Sequence, residues 1–103
     1  MNAAAANKLL DRALAISREI SKFAETGDVA SAVALDGERR DLLHTARAGM
    51  GFPSDDQRAI LAEIAALNNR ALGLLEHRLR IKARELDMAA VGRRAIVAYA
   101  ATG

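Results

Sequence analysis

A chain of 103 residues fits a single domain, and because much of its 51% hydrophobic content is alanine, the core it can bury is thin. With no cysteine, disulfides, thiol chemistry and cysteine-built zinc sites are excluded. The formal net charge is only +2, so the pI near 9.5 reflects arginine holding its proton to high pH and argues little for nucleic acid.

Alanine, leucine, arginine and glutamate favour helix, and the two phenylalanines and one tyrosine leave little aromatic material for strands. The first helix is expected from about Ala3 to Glu25. Leu9, Ala13, Ile16, Ile20 and Phe23 recur at helical spacing, with Leu10 and Leu14 widening the seam. Thr26-Gly27-Asp28 then ends it, with glycine suited to the position after the helix and Asp28 able to cap the next one. The second helix is expected from Val29 to Ala48, on a seam of Ala32, Leu35, Arg39, Leu42 and Ala46 supported by Val33 and Leu43. Arg39 is the irregularity, a charge in an apolar seam that either snorkels or pairs with an acid such as Asp36. Gly49 to Pro53 breaks the chain, and Met50 and Phe52 are expected to plug the end of a bundle.

Ser54 and Gln57 form a capping-box pattern, with Asp55 and Asp56 in the first turn of a third helix. That helix can run to Ala90 or Val91, ~55 Å at 1.5 Å per residue, against roughly 30 Å for each of its predecessors. Its core seam is Ile60, Ile64, Leu67, Ala71 and Leu74, and the same line then turns charged at Arg78, Lys82 and Glu85. Leu72, Leu75, Leu79 and Leu86 fall within about 60° of one another on a second stripe. This stripe needs a partner of its own: the tail, a second copy of the chain, or a helix of a client protein. After Gly92 and Arg93-Arg94, residues 95–99 are apolar enough for a short fourth helix that folds back. The expected architecture is all-α: one domain, 1–103, forming a three-helix antiparallel bundle with a long third helix and a C-terminal segment, 93–103, as the fourth piece.

Evidence for chemistry is missing from the sequence. No phosphate-binding glycine loop occurs. His44 and His77 stand alone, Asp55-Asp56 is explained by helix-start electrostatics, and the Glu-x-x-His repeats of di-iron bundles do not occur. A small helical mutase would need inward arginines and a lysine around an acidic substrate, whereas Arg39 and Arg78 are the only seam arginines. The basic C-terminal third lacks aromatic interleaving and a recognition helix on a tight turn, which argues against nucleic acid. The expectation is no enzyme, no catalytic residues, no metal and no cofactor. The start lacks a signal-peptide pattern and no apolar run is long enough to span a bilayer, so the expected compartment is the cytoplasm.

The order of these elements resembles the flagellar export chaperone family FliT. The resemblance lies in a leucine-rich first helix, the Thr-Gly-Asp turn, and the second-helix run Leu35-Asp36-Gly37-Glu38-Arg39-Arg40-Asp41-Leu42-Leu43. A long third helix follows, rich in leucine and arginine, and the tail Gly92 to Tyr99 resembles the family's short C-terminal segment. The chain departs from the family in a shorter loop before helix three and a higher alanine content. The resemblance implies a chaperone that holds the helical C-terminal region of the filament cap protein, prevents premature assembly and delivers it for type III export. It also implies contacts with the export ATPase complex or a flagellar transcription regulator, and a last segment that covers the client groove. Leu72, Leu75, Leu79 and Leu86 are then the expected client-binding residues, and Ile96, Val97 and Tyr99 the regulatory tail that competes with the client. The alternative is a dimerising helical adaptor, with the leucine stripe as a homodimer seam and no role in export.

Overall fold

A computed structural model describes the backbone of residues 2–102, together with the side chains of all of these except residue 95 and residues 97–102. It has three helices: α1 (Ala3–Thr26), α2 (Val29–Met50) and α3 (Asp55–Thr102). Each start is capped as local chemistry requires. The Asn2 side chain accepts from the Ala5 N–H at 2.9 Å. The Asp28 carboxylate accepts from the Ser31 hydroxyl at 2.7 Å and the Ser31 N–H at 3.1 Å. These two bonds, the hydroxyl's first, hold its carboxyl below the ordinary value of 3.8. The capping box before α3 is reciprocal: the Ser54 N–H donates to Gln57 Oε1 at 2.9 Å, and the Gln57 N–H to Ser54 Oγ at 3.2 Å. Gln57 Nε2 also donates to Asn7 Oδ1 at 2.9 Å, which ties the start of α3 to α1.

The α1–α2 turn depends on Gly27, whose φ of 80° is left-handed. The Gly27 N–H donates to the Ala24 carbonyl at 3.3 Å and the Asp28 N–H to that of Phe23 at 2.9 Å, the paired bonds of a Schellman stop. The second glycine turn differs from expectation. Gly51 adopts a positive φ of 62°. Met50 is half-buried, but Phe52 is 100% exposed and does not plug the bundle.

α1 is the central helix. It packs against both α2 and α3, whereas α2 and α3 barely approach each other. Its buried line is Ala6, Leu10, Ala13, Ser17, Ile20 and Ala24, flanked by Ile16 and Ser21. The expected seam shares Ala13, Ile16 and Ile20 with this line, and Leu10 beside them, whereas its two end members, Leu9 and Phe23, are only half-buried. Small side chains occupy the middle of the contact, so two helices can close on one. Ser17 satisfies its hydroxyl on the Ala13 carbonyl at 2.8 Å, within its own helix. On α2 the buried residues are Ala32, Arg39 and Ala46, with Leu35 and Leu42 half-buried beside them, as the spacing predicts. On α3, Ile64 and Ala71 are buried, and Ile60, Leu67 and Leu74 half-buried.

Surface ion pairs mark the register: Arg12–Glu38 at 2.8 Å, Arg18–Glu63 at 2.9 Å and Arg70–Glu25 at 3.3 Å. All are exposed and contribute little stability, but they show that consecutive helices run antiparallel and that α1 and α3 run parallel. The 48 residues of α3 span roughly 72 Å and the 24 of α1 roughly 36 Å, in keeping with a molecule 77 Å long and about 20 Å wide. Arg78 marks the end of the bundle. Its Nε donates to the Ala24 carbonyl at 3.1 Å and its Nη2 to the Glu25 carbonyl, so a cation from α3 caps the C-terminus of α1. The break in the α3 seam at Arg78 is therefore where α1 stops.

The long third helix is longer than expected. It continues through Gly92 to Thr102 without a turn, and the described residues include no fourth helix. Residues 93–102 point away from the bundle along the axis of α3, so they do not lie on the leucine stripe of the same unbroken helix. Ile96 is exposed, and the side chains of Val97 and Tyr99 lie outside the described residues.

Candidate protein-binding groove

Because α2 and α3 both pack on α1 and not on each other, a groove opens between them. It has a volume of about 430 Å³. Ile20 of α1 and Ala32 of α2 lie at its base; Val33 and Leu43 line it from α2, and Leu61, Leu72 and Leu75 from α3. These α3 positions belong to one face at 100° per residue, and Leu79 and Leu86 continue that face beyond the bundle. From Leu61 to Leu86 the track covers roughly 38 Å, the length of a helix of about 25 residues.

The four predicted leucines divide between two environments. Leu72 is 49% exposed, Leu79 61% and Leu86 59%, so three have large apolar faces in water. Such a contiguous exposed run is what interaction surfaces present. Leu75 departs from expectation: it is half-buried and packs on the cluster of Ile16, Ile20, Ala24, Ala32 and Ala71. It lies where the groove wall meets the core, so it supports the fold as well as lining the groove. Leu79 also lines a second recess with Gly27, Val29, Ile81 and Lys82, where the bundle gives way to the projecting half of α3.

The polar residues of the groove cluster at its midpoint. Arg39 is 6% exposed and lies inside, not snorkelling. Its Nη2 donates to Asp36 Oδ1 and, at 2.7 Å, to Asn68 Oδ1 across the groove. Asp36 also receives Arg40 Nε at 3.0 Å, so one carboxylate serves two arginines. Arg39 Nη1 is buried and has no acceptor among the described residues. Arg47, further along the α2 wall, has no acidic partner among them either. Asp36 was legible as the partner of Arg39 from its position one turn away. Asn68 was not, because nothing in local spacing links residues on different helices.

Arg78, the other seam arginine, caps α1 and does not face the groove, so the two do not form a pair around a substrate. His44 and His77 are exposed on separate helices. Among the described residues no three histidines or acidic side chains come together as metal ligands, and no helix is long and apolar enough to cross a membrane. Compared with protein families, with characterised proteins and with solved structures, the chain matches none.

Proposed function

We propose that the chain is a helix-binding export chaperone of the flagellar type, which holds the helical C-terminal region of the filament cap protein and has no catalytic role. One observation carries the reading: the α2–α3 groove is lined mainly by apolar side chains, and its α3 wall runs on as exposed leucines past the end of the bundle. An amphipathic client helix lying along that wall would bury Leu72, Leu79 and Leu86, each gaining roughly 1–2 kcal/mol from the area it loses to solvent. Holding such a helix keeps its apolar face from assembling early, which is the service the resemblance to the family implies. Contacts with the export ATPase complex or a flagellar regulator belong to the same proposal, and the exposed half of α3 is the surface available for them.

The test is titration of the chain against the C-terminal helical region of the cap protein encoded in the same genome. Leu79→Asp should weaken binding by at least tenfold, since it places a charge in an apolar contact. The circular dichroism spectrum should stay unchanged, because Leu79 is 61% exposed. Normal binding by the folded variant would remove the groove from the account.

A second reading, a homodimerising adaptor, draws support from Ile81, Met88 and Val91, which are exposed on α3 away from the leucine stripe. The mass of the free chain in solution separates the two: a monomer that becomes a one-to-one complex with the cap-protein region fits the chaperone, and a dimer without any client fits the adaptor.

A further inference from the structure

The groove has a sign as well as a shape. Its α2 side carries Arg39, Arg40 and Arg47 against a single acid, Asp36, which already serves both Arg39 and Arg40. At the midpoint Arg39 holds a buried donor, Nη1, that nothing among the described residues satisfies. The projecting part of α3 is basic as well, with five basic residues against two acidic ones between positions 79 and 94, of which Lys82 and Arg93 lie beside the leucine track. A second copy of this chain would bring the same excess of positive charge to the same track, and like charges set against one another disfavour it.

The geometry points to an acidic amphipathic helix as the occupant: an apolar stripe against Leu61, Leu72 and Leu79, with carboxylates on the flank that faces α2. This rests on the proposed helix-binding function and adds what that function leaves open, the chemistry that selects the helix. Arg40 and Arg47 are exposed and receive carboxylates at the rim, where charge sets selectivity and encounter rate more than total affinity. Arg39, held in place by Asp36 and Asn68, adds its charge to the floor beneath that rim. A helix with a lysine on that flank meets arginines with no anion to share.

The experiment uses three designed peptides of about 25 residues, matched in length to the track, with one leucine stripe and flanks of glutamate, glutamine or lysine. Each is titrated into the full chain at low and at physiological salt. The glutamate peptide should bind roughly tenfold tighter than the glutamine peptide and tighter still than the lysine peptide, with the differences shrinking as salt rises. In Arg40→Glu/Arg47→Glu, which alters only exposed positions, the order should reverse in favour of lysine. Three peptides that bind equally well, or an order that survives the charge reversal, would overturn the acidic preference while leaving the groove in place. If none binds, the groove itself fails as a helix site and the preference falls with it.

Discussion

Arg39 carries the largest electrostatic demand in the molecule. The charge of a residue only 6% exposed requires a compensating anion, and Asp36 supplies it with help from Asn68. The two ends of this pair are not equivalent. Asp36→Ala leaves a buried cation with only an amide oxygen, and should cost about 3 kcal/mol. Arg39→Met removes the buried charge and keeps most of its volume, and Asp36 retains Arg40 and partial access to water. That change should cost about 1 kcal/mol or less. Urea unfolding of the two variants gives the order directly, and a larger loss from Arg39→Met would mean that the pair stabilises the fold more than its desolvation costs. The residue pattern alone showed that an arginine interrupts an apolar seam and that Asp36 is within reach. Whether it snorkelled or stayed inside depended on how far α3 stands from α2, which no local pattern carries.

At the scale of elements, α1 is the helix that the other two share. A helix buried on two sides needs a wide apolar face with little bulk at its centre, and Ala6, Ala13, Ser17 and Ala24 provide it. The larger side chains of the seam mark Ile16 and Ile20 correctly but extend it to the half-buried Leu9 and Phe23, and they leave out Ala6, Ser17 and Ala24. Alanine and serine give a weak periodic signal although they occupy the closest approach. The consequence is measurable. Ala13 is fully buried, and Ala13→Leu should destabilise the chain by about 1–3 kcal/mol, by forcing a helix away from α1. Leu9→Ala, on the half-buried flank, should cost less. Thermal unfolding of both variants checks the ranking, and a well-tolerated Ala13→Leu would mean that α1 has slack on its central line. The caps were legible at this scale because each joins residues three apart: Asp28 to Ser31, and Ser54 to Gln57.

For the whole molecule, length arithmetic was enough to show that α3 outruns its partners, and Arg78 marks where this happens. The course of the last ten residues was not legible in the same way. A glycine followed by two arginines and an apolar run is compatible with a turn, yet the backbone stays helical through Gly92, where a side chain would meet nothing within 4 Å. A tail that extends away from the groove cannot occupy it. Deleting residues 93–103 should therefore leave the melting temperature unchanged and alter affinity for the cap-protein region by less than about twofold. A clear tightening of binding would show that α3 breaks near Gly92 in solution and that the tail competes after all.

What the amino-acid sequence determined by itself is local and periodic. It set the helical class, two glycine turns and their caps, a third helix too long for its partners, and a leucine face with no neighbour in its own helix. These follow from interactions within a few residues of chain, where spacing and side-chain type are sufficient. The tertiary structure decided which pairs of helices meet. By seating α2 and α3 on the small residues of α1 and keeping them apart, it turned one face of α3 into the wall of a groove, placed Arg39 beside Asn68, and left Leu75 half in the core. Those outcomes depend on side-chain volumes summed over three helices at once, a quantity that no single stretch of the chain contains.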